Sequence, residues 1–231
     1  MAELPVEGVL PDLDGATAWL NSAPLTPDGL RGRVVVVQFC TFSCVNWLRT
    51  VPYVKAWAGK YRDDGLVVIG VHSPEFPFEH DLGKVRSALD GMGIDYPIAL
   101  DNAFAVWRAF DNAYWPALYF VDAEGRLRHH HFGEEEYVRS EQVIQQLLTE
   151  AGSAGVGDDL VSVQPDGVSL GADWSALDRR KPTSATPGPP VSHRRGASNP
   201  TVVGCTRNRA CSGSTSGPCP VTGLCSSNSP R

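Results

Sequence analysis

Residues 34–53 read VVVVQFCTFSCVNWLRTVPY, an apolar run followed by a helical pattern. The run Val34–Phe39 is mostly β-branched, which is typical of a central strand buried on both faces. From Cys44 to Tyr61 apolar residues recur at close to helical spacing, and Pro52 should kink this helix rather than end it. The segment therefore predicts a buried strand that leads through a short polar turn into a helix.

The rest of the first 152 residues alternates between strand and helix patterns. The predicted strands are Leu66–Val71, Tyr96–Leu100, Ala117–Val121 and Leu127–Phe132, and the predicted helices are Glu79–Met92, Phe104–Phe110 and Glu134–Ala151. A tight-turn sequence at 122–125 should join the last two strands into an antiparallel hairpin. Parallel strands joined by helices and ending in a hairpin predict an α/β fold in which helices flank a mixed sheet.

The chain of 231 residues consists of two unlike parts, and Trp174 is its last aromatic residue. Residues 1–174 carry a net charge of −13, whereas residues 175–231 carry +7 and contain 8 Pro, 6 Gly and 10 Ser. We expect this tail to be disordered, because it lacks the apolar surface that offsets chain ordering. The acidic body argues against nucleic acid as a main partner, since phosphate binding needs clustered basic residues.

Four of the six cysteines lie in the basic tail, at Cys205, Cys211, Cys219 and Cys225. Five, seven and five residues separate neighbours, whereas zinc sites usually pair cysteines two to four residues apart. A metal knuckle and a disulfide staple remain alternatives, the latter in an oxidising compartment. Incidental cysteines are the favoured interpretation.

Cys44 follows a buried strand and stands at the first turn of a helix. Unpaired amides and the helix dipole stabilise an anion there. Such a position increases the fraction of thiolate, which is the nucleophilic form of cysteine. The alternative is a small buried apolar residue, the more common fate of a lone cysteine. The position of Cys44 favours a reactive thiol.

Three stretches carry a family resemblance: Val34–Phe39, residues 41–53 (TFSCVNWLRTVPY) and residues 114–122 (YWPALYFVD). They resemble the thioredoxin-fold redox proteins, in particular the TlpA/DipZ-like and redoxin (AhpC/TSA) branches, over roughly residues 1–152. The resemblance implies that Cys44 is the attacking cysteine. It also implies that Pro116 follows a cis peptide bond, faces the thiol and presents the Trp115 carbonyl to an extended chain.

Two departures from this family's pattern affect the chemistry. Trp47 stands at the second cysteine of C-x-x-C, and Gln38 stands at the family's buried aspartate. Both residues that resolve a mixed disulfide in the family are therefore missing, which suggests either chemistry with a single active-site thiol or loss of activity. Cys40 is not expected to replace them, because four extended residues span roughly 13 Å whereas a disulfide needs Cα atoms within about 7 Å.

Other residues near the thiol suggest weaker hypotheses. Thr41 and Cys44 match the T-x-x-C part of a peroxidase motif, but Val37 stands where that motif has proline. His72 and Glu75 follow the second strand and could tune the thiol, because strand ends cluster on one edge of such sheets. A structural loop is the favoured interpretation of this segment.

Three consecutive histidines, His129, His130 and His131, suggest a metal site at first sight. On a strand His129 and His131 share a face while His130 points away, so only two ligands are available where three or four are needed. We expect a solvated strand with no metal, and no cofactor is implied elsewhere.

These observations favour a single-thiol, thioredoxin-like oxidoreductase or antioxidant protein that acts through Cys44. Trp115 and Pro116, with Trp47 and Thr41, are its predicted substrate-binding residues. Its partners would be protein or small-molecule disulfides or peroxides, with an external thiol as reductant. The alternatives are a redox-inactive peptide-binding module of the same fold and a one-cysteine peroxidase.

Domain organisation and location follow from the same patterns. We expect residues 1–30 to pack on an edge of a domain at 31–152, with 153–174 as a linker or the start of an incomplete element. Because related chains commonly continue past an Ala-Asp-Trp sequence into an aromatic-containing domain, we interpret 175–231 as a frameshifted or otherwise non-native continuation.

The N-terminus lacks signal-peptide features, and no run approaches the roughly 18 apolar residues of a membrane span. A cytoplasmic location is expected, although related proteins are often exported or membrane-tethered.

Overall fold

The computed structural model describes residues 3–163. The predictions for the tail, namely its disorder, its four cysteines and its non-native origin, lie outside the described residues.

A seven-stranded mixed sheet forms the centre of the described part. Its strands are β1 (Gly8–Val9), β2 (Ala18–Leu20), β3 (Val34–Cys40), β4 (Leu66–His72), β5 (Ile98–Leu100), β6 (Ala117–Val121) and β7 (Arg126–Phe132). The helices are α1 (Val45–Lys60), α2 (Leu82–Gly91), α3 (Ala105–Ala109) and α4 (Tyr137–Glu150). The strand order is β1-β7-β6-β3-β4-β5-β2, with β3, β4 and β5 parallel and the other pairings antiparallel. The predicted fold class is confirmed.

Strand β3 lies in the middle of the sheet, and all seven of its residues are buried. Its alternate side chains enter two cores. Val36 and Cys40 share one core with α1, α2 and α4, whereas Val37 and Phe39 share the other with α3 and the N-terminal segment. The continuous apolar run therefore reflects burial on both faces, as expected for a central strand.

The N-terminal segment pairs with both edges of the sheet. Strand β1 pairs with β7, and β2 pairs with β5. Each pairing gives hydrogen-bond partners to an edge strand that would otherwise leave its amides and carbonyls open.

Two predicted helix starts are wrong. The helix predicted from Glu79 begins at Leu82, because the Asp81 carboxylate accepts a hydrogen bond from the Lys84 amide (2.9 Å) and caps α2 there. Residues Pro77–His80 form a separate 3₁₀ turn. The helix predicted from Glu134 begins at Tyr137, because the two preceding glutamates have φ values of 81° and 47°, outside the helical region.

Helix α1 is one residue shorter at each end than predicted and continues through Pro52. Within residues 3–163 we find no helix of the length and apolar character needed to cross a bilayer. The cytoplasmic location stays a prediction.

Candidate active site

Cys44 is the N-cap residue of α1 and carries a free, partly buried thiol. Its amide donates to the Thr41 carbonyl (3.1 Å), which closes a tight turn over residues 41–44. Its carbonyl accepts from the Leu48 amide (2.9 Å) and so begins the helix. Strand β3 therefore delivers Cys44 to the helix start through one turn, and Thr41, which is buried, supports that turn.

The bond between Trp115 and Pro116 is a cis peptide, as the resemblance implies. Ala117 of β6 pairs with Phe39 of β3, so Trp115 and Pro116 lie at the end of the sheet where β3 leads to Cys44. The Trp115 indole donates to the Ser73 carbonyl (3.0 Å), and the Pro116 carbonyl accepts from the Gly133 amide (2.8 Å). Pro116 is buried and Trp115 partly buried, so Trp115 is the more accessible of the two.

His72 is a buried residue that contacts the turn over residues 41–44. It is fully buried at the end of β4, and its Nε2 accepts from the Phe42 amide (3.4 Å) while the two rings stack. Burial lowers the pKa of His72 from 6.5 to about 4, against an opposing effect of the Glu79 charge. His72 is therefore neutral near pH 7, which suits an acceptor for the Phe42 amide.

This burial predicts a pH-dependent stability. Because the folded-state pKa of His72 is below its unfolded value, the unfolded chain takes up the proton first as the pH falls. The associated stability is present above pH 6.5 and is lost towards pH 4. We expect the free energy of unfolding to fall by about 2 kcal/mol between pH 7 and pH 5 through His72. Urea unfolding of wild type and of His72→Gln, which keeps an acceptor but does not titrate, measures it; equal pH slopes would contradict the prediction.

Glu79 is a residue of the site that sequence reasoning missed. Its side chain is fully buried, and its Oε1 accepts from the Ser43 hydroxyl (2.6 Å) and amide (3.4 Å). Its Oε2 accepts from the amides of Glu75 (2.6 Å) and Phe76 (2.8 Å). Glu75, named from the sequence, has an exposed side chain and contributes this amide. One sequence feature could have indicated this role: Glu79 stands three residues after Phe76, a spacing at which a carboxylate can accept a hydrogen bond from the amide of the earlier residue.

Trp47 and Gln38, the two departures from the family pattern, lie in the core. Trp47 is 0% exposed and packs beneath the site rather than on its surface. The Gln38 amide donates to the Thr50 hydroxyl (2.8 Å), which in turn donates to the Trp47 carbonyl (2.7 Å). The Tyr96 hydroxyl donates to Gln38 Oε1 (3.4 Å). Neutral groups thus occupy the places of the resolving thiol and the acid.

Cys40, the second described cysteine, is held as a buried thiol. It is 1% exposed, and its Sγ donates to the Val71 carbonyl (3.4 Å). Burial raises the pKa of Cys40 strongly, and the neighbouring charges of Cys44 and Glu79 raise it further. Cys40 is therefore protonated near neutral pH.

The three histidines of β7 are separate from this site in their contacts. His129 lies against Phe120, His130 binds the Glu7 carboxylate (2.7 Å), and His131 contacts the Glu134 carbonyl (3.2 Å). In the described range, no group of three or more His, Cys, Asp or Glu side chains is arranged to hold a metal.

An apolar rim borders the turn that carries Cys44. We define it as Phe42, Val45, Phe76 and Phe78. Phe78 packs edge-on against Phe42 (5.8 Å between centroids) and stacks on Phe76 (5.7 Å). Phe76, Phe78 and Val45 are 46%, 44% and 52% exposed. The rim therefore exposes apolar surface beside the turn that carries Cys44.

A thiol at a helix start, at the same end of a mixed sheet as a cis-proline, defines the thioredoxin-like class of proteins. The Redoxin family model matches residues 7–148, and the chain belongs to this family. Thiol-disulfide oxidoreductase YkuV of Bacillus subtilis is 31% identical over 141 residues, which cover 61% of this chain and 95% of that protein.

Two further similarities agree with the family. Protein DipZ of Mycobacterium bovis is 46% identical over 153 residues, 65% of this chain but 22% of DipZ, so the chain spans about a fifth of that relative. A solved thioredoxin-like protein in its oxidised form is 33% identical, with a TM-score of 0.57 over 62% of this chain and 96% of that one.

Proposed function

We propose that this chain exchanges disulfides through the single thiol of Cys44 and depends on an external thiol to complete each cycle. The observation that carries the proposal is the pairing of a helix-start Cys44 with a buried Trp47 at the second cysteine position. The similarity to YkuV, a thiol-disulfide oxidoreductase, supports the reaction type.

The first step is attack by the Cys44 thiolate on one sulfur of a substrate disulfide. A bond forms between Cys44 Sγ and that sulfur, the substrate S–S bond breaks, and the departing thiolate takes a proton from water. Trp115 would offer its backbone carbonyl to an extended substrate chain, and the apolar rim would contact the substrate's apolar residues.

The second step needs sulfur from outside the described residues. Cys40 is buried and protonated, so it is not available as a nucleophile. An external thiolate attacks the mixed disulfide and releases the Cys44 thiolate, and a second external thiol removes the first as a disulfide. Overall one substrate disulfide is reduced by two electrons, and two external thiols are oxidised.

A trapping experiment tests the proposal. The protein is incubated with an asymmetric peptide disulfide without added thiol and is then examined by intact mass and peptide mapping. We expect one peptide adduct on Cys44 that persists until glutathione is added. If no mixed disulfide forms on Cys44 and peroxide treatment gives no sulfenic acid there, redox activity of Cys44 is contradicted.

That negative outcome would favour a peptide-binding module of the same fold. The observation that supports this second candidate is the hydrogen-bonded set of Gln38, Thr50 and the Trp47 carbonyl, which leaves no acid at the resolving position. Binding of a cysteine-free extended peptide, measured by calorimetry, would then be the expected property.

A further inference from the structure

A buried carboxylate lies beside the start of α1, although the first turn of that helix contains no acidic residue. The carboxylate belongs to Glu79, which is 36 positions from Ser43 in the chain and yet accepts hydrogen bonds from both its hydroxyl and its amide. Ser43 directly precedes Cys44. The contact therefore places a third element, the loop after β4, against the turn that presents the thiol.

The two oxygens of Glu79 have separate partners. Oε1 holds Ser43, and Oε2 holds the amides of Glu75 and Phe76. One carboxylate thus connects the turn to the loop that carries Phe76 and Phe78 of the apolar rim. A glutamine has a single acceptor oxygen, so it could accept from Ser43 or from the loop amides but not from both.

All of these donors are uncharged, so the hydrogen bonds stabilise the charge without neutralising it. Burial alone raises the pKa of Glu79, but the hydrogen bonds from Ser43 and from the loop amides outweigh it and leave the pKa below its usual value. Glu79 is therefore an anion at neutral pH. Its charge is also one cause of the raised pKa of Cys40.

The buried Glu79 carboxylate opposes the effect of the helix start on the Cys44 thiolate. The positive end of a helix stabilises one nearby negative charge, and like charges repel at short range. Glu79 binds the amide and hydroxyl of Ser43, the residue next to Cys44, so a thiolate on Cys44 would form one residue away from a group that already holds this carboxylate. The charge of Glu79 should therefore disfavour the thiolate that the helix dipole favours.

We propose that Glu79 is a positioning residue for Cys44, which fixes the 41–44 turn through Ser43 and restrains formation of the Cys44 thiolate by its charge. The inference rests on the proposed function of Cys44 as the reacting thiol. Restraint of this kind slows capture of random disulfides by a protein that has no resolving cysteine beside its nucleophile.

The other ionisable groups near the turn are uncharged, exposed or paired. Cys40 on β3 is protonated and His72 on β4 is neutral near pH 7. His80 on the loop is exposed, and Arg49 on α1 is paired with Glu134 (2.8 Å). Among these groups of the described residues, Glu79 is the one that is both buried and charged at neutral pH.

The test measures the rate at which iodoacetamide alkylates Cys44 as a function of pH, in a Cys40→Ser background, with peptide mapping to separate Cys44 from the four tail cysteines. We expect Glu79→Gln to move the pH midpoint downwards and to make alkylation roughly three- to tenfold faster at pH 7. Ser43→Ala is the matched control: it removes the hydroxyl contact but keeps the charge of Glu79, so its midpoint should move less than that of Glu79→Gln. An unchanged or higher midpoint in folded Glu79→Gln would overturn the proposal.

A measurement on the unsubstituted protein covers the case in which Glu79→Gln does not fold. Coupled groups report each other's titration, so the ¹³C signal of the Glu79 carboxyl should show a step at the pH midpoint of Cys44 alkylation. The step should disappear in Cys44→Ser, and its absence from wild type would overturn the proposal. Alkylation of Cys44 needs no disulfide exchange. If Glu79→Gln shifts the alkylation midpoint but the protein forms no mixed disulfide, the proposed function is contradicted and the role of Glu79 is not.

Discussion

Replacement of Cys44 by serine is expected to slow mixed-disulfide formation with a peptide disulfide by at least about a thousandfold, because the nucleophile is lost. Serine has nearly the same size, and the site of substitution is only partly buried, so the fold should persist. The rate is measured as release of the leaving peptide thiol in a background in which the four tail cysteines are changed to serine, and circular dichroism checks the fold.

Cys40→Ser is the matched control for this experiment. It makes the same replacement of sulfur by oxygen four residues earlier in the chain, at a buried thiol that donates to the Val71 carbonyl. We expect its exchange rate to stay within about twofold of wild type, since a buried protonated thiol is inert. A large loss in Cys40→Ser, or full activity in Cys44→Ser, would contradict the assignment of the nucleophile.

Trp47→Cys should change both stability and chemistry. Trp47 is fully buried, and a cysteine would leave a large part of its volume empty, so we expect a loss of about 3–5 kcal/mol in the free energy of unfolding. The same substitution restores two thiols in C-x-x-C spacing. Resolution of the mixed disulfide within the chain should then produce insulin-type disulfide reductase turnover, a step for which we propose that wild type needs an external thiol.

Trp47→Ser separates these two effects. Serine leaves a similar cavity but adds no sulfur, so it should show the same loss of stability by urea unfolding and no gain in turnover. If Trp47→Cys is folded and still no faster than Trp47→Ser, the dithiol is not sufficient. Gln38, which has no proton to accept or release near pH 7, is then the residue to change, and Gln38→Asp in the Trp47→Cys background tests it.

Short-range patterns predicted most of the fold correctly. The β-branched run of β3 and the helical spacing of α1 depend on neighbours a few residues away, and their positions agree with the structure to within one residue. Helix starts were less predictable, because competing acidic residues stand close together in the chain. Glu79 and Asp81 are both plausible caps, and only Asp81 has its carboxylate at the Lys84 amide.

The sequence by itself determined the fold class, the place of Cys44 at a helix start, and the absence of a second cysteine and a buried acid at Trp47 and Gln38. These depend on periodicity and on motif spacing, which are local properties of the chain. Only the tertiary structure determined that Cys40 is shielded and that Glu79 binds Ser43. Such contacts join residues 31 to 36 positions apart, so they exist only once β3, β4 and the following loop have packed together.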